Sequence, residues 1–317
     1  MSVLKILGVI MLLLFSPIEN AQAQIRVAGK PKRLTPAGGE FMQPVWSPAG
    51  DWIALTSSGY NGIWLVKPDG TGLKQLTADL AVGYKMKWSA DGKMLVGRAA
   101  KYENRRRYNA IKAYEAATNR EFLLSDFRTL MPGLPQWTNG SQQVALFSNR
   151  GLEFFQVADQ APGKAQETST RALVFANEQG LILLPAGAKT QQLLQPVPGE
   201  VVNAALSPDG GKIVFESLNG RLYVCQNDGS ALLDLGRGER PQWSPDGGKI
   251  AFMISSDDGH RLLGADLYVV RPDGSGKTNL TNSKALFEMN CTWSPDGKRL
   301  AYDERNSRAV WVMELAE

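Results

Sequence analysis

Histidine is nearly absent from this chain: His260 is the only one in 317 residues. A metal centre built from clustered imidazoles therefore cannot be assembled. Cysteine is almost as scarce. Cys225 and Cys291 are too few for a disulfide framework or a metal-binding quartet, and both fall in apparent strands, where they read as small buried side chains. Charge of one sign is also missing, since 35 basic and 31 acidic residues leave a formal +4. Bases and acids are interspersed, which argues against nucleic acid as a partner. No Gly-x-Ser-x-Gly elbow occurs, and the glycines follow Asp or Asn in turns instead of forming a phosphate-cradling loop.

A hydrophobic run of membrane-spanning length is lacking too. The apolar stretch Ile6 to Phe15 follows Lys5 and is broken by Ser16-Pro17. Its ~10 residues fall short of the ~20 that cross a bilayer as a helix. Ala21-Gln22-Ala23 then offers small residues at the positions a signal peptidase reads. Residues 1–23 are predicted to be a signal peptide cleaved before Gln24, leaving residues 24–317 as one periplasmic or secreted domain. No cysteine follows the cleavage point to carry a lipid, so no membrane anchor is expected in the mature form.

What the chain does have is a phrase written repeatedly. Trp46-Ser47-Pro48-Ala49-Gly50 returns as Trp88-Ser89-Ala90-Asp91-Gly92 and, more weakly, as Trp137-Thr138-Asn139-Gly140. It recurs as Leu206-Ser207-Pro208-Asp209-Gly210, Trp243-Ser244-Pro245-Asp246-Gly247 and Trp293-Ser294-Pro295-Asp296-Gly297. The steps between anchors are 42, 49, 69, 37 and 50 residues, and periods near 40 point to a solenoid or a ring of sheets. Pro supplies φ near −65° and Gly a permissive conformation, so each phrase is a tight turn. Short apolar and β-branched runs follow, such as Lys212 to Phe215 and Leu222 to Gly229, with further turns between them. Three such strands plus the one leading into the anchor make four per unit. Sheets of this size bury both faces when arranged radially, which predicts an all-β propeller of four-stranded blades. The anchor tryptophans should pack against neighbouring blades.

Two details refine the ring. Lys32-Arg33-Leu34-Thr35 resembles the outer-strand phrase Lys74-Gln75-Leu76-Thr77, and the chain ends after the third strand of its last unit. An N-terminal strand is therefore expected to complete the last blade and close the ring. The 69-residue step is too long for one unit. Within it, residues 173–194 track residues 213–235 and suggest a degenerate seventh unit, or an inserted hairpin, beside six clear ones. The residues 158–170 leave little room for two more strands there.

The repeated Trp-Ser-Pro-Asp-Gly turn, the strands Ile63-Trp64-Leu65-Val66 and Asp266-Leu267-Tyr268-Val269-Val270, and the phrase Pro272 to Thr281 together resemble the propeller domain of TolB and its relatives. The resemblance runs from about Pro31 to the C-terminus. It implies a fold and not an activity, because similar blades occur in oligopeptidase propellers and sugar lyases. TolB carries a further domain before its propeller. This chain moves almost directly from its leader to the closing strand, so it reads as a propeller-only relative, and no Tol–Pal partnership is inherited by default. The lyase chemistry needs a histidine cluster that this sequence cannot supply.

Two groups of residues are candidate binding sites. Glu40, Glu200, Glu239 and Glu288 each precede an anchor by four to six residues, which places them at one mouth of the channel. Converging carboxylates would attract a cation or a basic peptide; separate ones are solvated loop acids. Arg105, Arg106 and Arg107 lie in a loop flanked by Tyr102 and Tyr108, which suits an interface anchor or an acidic ligand, or else a solvated basic loop. His260, beside Asp257 and Asp258, reads as an exposed loop histidine.

Three functions fit these residues. The first is a non-enzymatic binding or scaffold module for another envelope protein or peptide, monomeric, with no cofactor and no metal. The second is a carbohydrate- or peptide-processing enzyme with a carboxylate-only site, drawn from Glu200 with Glu239 or Glu288. The third is a sensor domain for a small ligand or metal ion.

Overall fold

The protein is described from a computed structural model covering residues 24–157, 168–283 and 286–317. The leader assigned to residues 1–23 lies outside these. Each Ser-Pro-Asp-Gly phrase folds as its chemistry requires. In Ser244 to Gly247 the glycine N–H returns to the Ser244 carbonyl at 2.9 Å, and Gly247 adopts φ 71°, a region open to glycine at little cost. The Ser244 hydroxyl donates to Asp246 and accepts the Lys249 N–H at 2.8 Å, starting the next strand. The Ser244 hydroxyl, then the Gly248 N–H at 3.0 Å, hold the Asp246 carboxyl below its ordinary range.

The turns join antiparallel meanders into seven sheets among the described residues. Blade 1 comprises Phe41–Trp46, Ile53–Ser57, Ile63–Val66 and Lys74–Thr77. Blade 2 comprises Lys87–Trp88, Met94–Glu103, Arg106–Glu115 and Glu121–Leu123. Blade 3 has Gln136–Asn139, Gln143–Ser148 and Gly151–Gln156. Blade 4 has Leu173–Asn177, Gly180–Leu184 and Gln192–Leu194. Blade 5 comprises Val201–Leu206, Lys212–Ser217, Arg221–Gln226 and Leu233–Arg237. Blade 6 comprises Glu239–Trp243, Ile250–Asp257, Leu262–Val270 and Thr278–Asn279. Blade 7 comprises Glu288–Trp293, Arg299–Glu304, Ala309–Ala316 and the N-terminal Arg26–Arg33.

Arg26–Arg33 pairs antiparallel with Ala309–Ala316, from Arg26 opposite Ala316 to Arg33 opposite Trp311, so the first strand closes the ring. Residues 173–194 form a true seventh sheet rather than an inserted hairpin. Blades 3 and 4 depart from the four-strand rule, with three strands each among the described residues. They flank the short segment in which two further strands would have to fit.

Seven apolar clusters hold the ring, one at each seam between blades. Trp88 packs on Ala54, Ile63 and Leu65 of blade 1, Trp243 on Val214 and Leu222 of blade 5, and Trp46 on Ala301 and Val310 of blade 7. The indoles also bond across the seam to the carbonyl one residue before the preceding anchor. Trp88 Nε1 donates to Val45 at 3.0 Å, Trp137 to Lys87 at 2.9 Å, Trp243 to Ala205 at 3.1 Å and Trp293 to Gln242 at 3.2 Å. At the closing seam Trp46 is buried with its Nε1 unpartnered, and Arg299 stacks over its ring at 4.7 Å.

Candidate functional site

An antiparallel meander sorts its loops by parity. The start of each inner strand and the hairpin between second and third strands lie at one end of the sheet. The Ser-Pro-Asp-Gly turns lie at the other. All sequence-predicted site residues thus share one face of the ring.

The most extended feature of that face is the blade 2 hairpin. Its strands Met94–Glu103 and Arg106–Glu115 are 10 residues each, against 5 and 4 for the equivalents in blade 1. Asn104 and Arg105 form its tip, both with positive φ (49° and 63°), the two-residue turn that matches the twist of a hairpin. Arg105, Arg106 and Arg107 are exposed, and Tyr102 is 61% exposed, so arginine and aromatic surface stand together at the tip. Arg107 Nε donates to Asn109 Oδ1 at 3.1 Å, and Lys101 lies 4.3 Å over the Phe127 ring, stiffening the stem.

The four glutamates sit at the starts of their inner strands, but each has its own surroundings. Glu40 pairs with Arg308. Glu239 accepts the Ser255 hydroxyl, and Glu288 accepts the Ser283 hydroxyl at 2.7 Å. Glu200 is exposed. Glu288 is buried, which raises its carboxyl, and the carboxylates acting on it are Asp266 and Glu304 rather than the other three candidates. His260 is exposed in the blade 6 hairpin. Its N–H bonds Asp258 at 3.0 Å, so that carboxylate shapes the loop. Cys225 and Cys291 are buried free thiols. Among the described residues no cluster of metal-ligating side chains occurs, and no helix is long and apolar enough to cross a membrane.

The sequence reading missed the interior of the channel. Three residues before the anchor, a non-glycine residue takes positive φ within the inner strands of blades 1, 5, 6 and 7 and just before that of blade 2: Gln43 (51°), Lys85 (51°), Asn203 (55°), Arg240 (53°) and Asn290 (53°). In blades 1, 5, 6 and 7 the strand register shifts at this bulge. The bulges aim polar side chains into the channel, where they join in a circuit. The Lys85 N–H bonds Gln43 Oε1 at 3.3 Å, and the Lys85 ammonium crosses to Asn203 Oδ1. Asn203 Nδ2 donates to Glu216 Oε2 at 2.6 Å, and Glu216 also accepts the Arg240 N–H at 2.9 Å. The Arg240 guanidinium bonds Asn290 Oδ1, Asn290 donates to Asp303, and Asp303 accepts the Gln43 N–H. The belt thus closes on itself and spans the bore. Its signal was present in the sequence: aligning the repeats on their anchors shows a polar residue at this position in five of them.

Burial sets the ionisation along the bore. Asp303 is buried with Oδ1 unpartnered, and desolvation pushes its carboxyl up to about 7 despite Asn290 and Arg240. Desolvation, then Arg240, lowers the Lys85 ammonium to about 8. Lys87 is exposed to the solvent of the bore, though crowded by the blades around it. That confinement, then Arg171 and Lys85, also lowers it to about 8.

Seven radial sheets around a bore crossed by this belt define a seven-bladed β-propeller. Neither a family profile nor a curated protein sequence matches the chain. A solved structure assigned as TolB from Agrobacterium tumefaciens is similar over 87% of this chain and 90% of its own, with 20% identity and a TM-score of 0.55. A chain in a crystal structure of the Mitotic Checkpoint Complex is similar over 100% of this chain and 99% of its own, at 13% identity and a TM-score of 0.61. The blades and their turn phrases make this a propeller of the TolB type. With 1078 solved chains resembling it, the fold alone leaves function open.

Proposed function

We propose that the chain is an exported, non-enzymatic binding module that grips a protein or peptide of the cell envelope through loops on one face of the ring. Residues 1–23 serve as its signal peptide, and residues 24–317 act as one periplasmic domain. The observation that carries this reading is the blade 2 hairpin. An arginine- and tyrosine-bearing tip on two ten-residue strands is a rigid, solvent-facing anchor of the kind interfaces favour. The presence of a similar propeller in a protein assembly agrees with a protein partner. The test is replacement of Arg105, Arg106 and Arg107 by Glu, followed by capture from envelope extract. A partner held by the parent protein should be lost by the variant. A partner held equally by both would remove the hairpin from the interface.

One observation favours a second reading, a carboxylate enzyme acting on carbohydrate or peptide. Asp303, with its carboxyl near 7, lines the same cavity of about 560 Å³ as Glu40, at the seam of blades 7 and 1. Turnover of a glycan or peptide that Asp303→Asn abolishes would establish it.

A further inference from the structure

Two adjoining cavities of about 420 and 450 Å³ occupy the bore and share Lys85, Lys87, Asn203, Ala204 and Arg240. Their size is that of a small-ligand pocket. The charges lining them are Lys85 and Lys87 of blade 2, Glu216 of blade 5, and Glu239 and Arg240 of blade 6; Arg171, exposed just before blade 4, acts on Lys87 from outside the lining. Both acids are committed: Glu216 to Asn203 and the Arg240 N–H, Glu239 to Ser255. Lys85, Lys87 and Arg240 line both cavities and form no ion pair among the described residues; the Lys85 ammonium and the Arg240 guanidinium bond only the neutral amides of Asn203 and Asn290. Holding like charges together in a confined bore is costly, and a ligand of opposite charge relieves that cost.

The opposite wall is apolar. Leu134 and Phe147 of blade 3 and Val174 and Phe175 of blade 4 line the same cavity. Blade 4 shows no anchor-bearing inner strand among the described residues. The strand facing the bore there is Leu173–Asn177, which tracks the second strand of its neighbour, and this brings apolar side chains to the wall.

We infer that the bore binds a small organic carboxylate, its anionic group seated between Lys87 and Lys85 and its apolar body against the wall of blades 3 and 4. This site is separate from the hairpin tip and independent of any partner held there.

Calorimetric titration of residues 24–317 tests it with three probes: 4-phenylbutyrate, its neutral amide, and acetate. Phenylbutyrate should bind at least tenfold more tightly than acetate, and the amide should give no saturable heat. Lys87→Gln and Lys85→Gln should each weaken phenylbutyrate at least tenfold, Lys87→Arg should retain it, and the Arg105/Arg106/Arg107→Glu variant should bind as the parent does. Binding should also draw a proton from buffer. At pH 8 Lys85 and Lys87 are each about half-protonated, and a bound carboxylate raises their affinity for the proton, so uptake should approach about one proton and vanish by pH 6. Equal binding of the amide, unchanged affinity in Lys87→Gln and Lys85→Gln variants that melt like the parent, or no binding of either carboxylate would overturn the inference.

Discussion

Asp303 closes the channel belt at a cost to the fold. Its carboxyl titrates near 7 in the native protein and near 3.8 when free, so the native state holds its proton more tightly than the unfolded chain. Below about pH 4 both states are protonated and nothing is lost. As pH rises from about 4 to about 7 the unfolded chain releases the proton first, and stability falls; above pH 7 the loss is complete. Arg240, Glu288 and Glu304 on the adjoining strands share this neighbourhood, so the curve belongs to Asp303 within that group. Asp303→Asn keeps the shape and an acceptor for Asn290 while removing the buried charge. It is expected to raise stability at pH 8 by on the order of 4 kcal/mol, less what the amide loses in hydrogen bonding, with the gain gone at pH 4. Urea denaturation at both values checks it, and an equal gain at pH 4 would assign the effect to packing. Lys87 carries the opposite slope. With its ammonium lowered to about 8, stability is recovered as pH climbs from there toward 10.5. The recurring polar position was legible once the repeats were aligned, but its geometry and its partners were not. Gln43, Lys85, Asn203, Arg240 and Asn290 share no identity, and their positive φ is imposed by the bulge rather than announced by glycine.

The seam is the element that repeats, and it was the most legible part of the chain. A tryptophan before a Ser-Pro-Asp-Gly-type turn has to end a strand and face a neighbouring sheet, and this holds for Trp46, Trp88, Trp243 and Trp293; Trp137, before the weaker Thr-Asn-Gly, faces its seam from within its strand. Blade 4 was only half legible because neither an anchor nor a turn phrase marks its start. The mouth acids were legible as a position, not as a site: each Glu begins an inner strand, but its partner arrives from another loop or strand, as Ser255 does for Glu239, and no local pattern encodes that. The indole–carbonyl bond allows a comparison between seams. Trp137 donates to the Lys87 carbonyl, whereas the Trp46 N–H has no partner. Removing a paired donor strands its acceptor at a cost of about 1–2 kcal/mol, while removing an orphaned one relieves a buried polar group. Trp137→Phe should therefore destabilise by at least ~1 kcal/mol more than Trp46→Phe, measured as paired urea midpoints. Equal costs would mean that the indole N–H groups contribute nothing and that apolar contact alone holds the seams.

At the scale of the whole ring, stability depends on closure, because a propeller left open has an unpaired strand edge and an uncovered seam. Arg26–Arg33 supplies that closure. It covers the backbone edge of Ala309–Ala316 in blade 7, while Ile25 enters the blade 6–blade 7 cluster and Leu34 the cluster between blades 7 and 1. Thr35 adds its hydroxyl to the Val310 N–H at 3.1 Å. Deleting residues 24–36 removes all of these contacts and exposes a flat edge that can pair with another chain. The shortened protein is expected to melt at a sharply lower temperature and to associate at high concentration. A synthetic peptide of residues 24–36 added in trans should occupy the same edge, restore the monomer and recover most of the melting temperature. A scrambled peptide should not. The paired measurement separates closure from composition, since both samples contain the same residues and differ only in whether the strand can find its register. If the truncated ring melts as the full one does, the contacts between blades hold it shut unaided. If the peptide fails to rescue a destabilised ring, continuity of the chain into blade 1, rather than pairing at the edge, is what this strand provides.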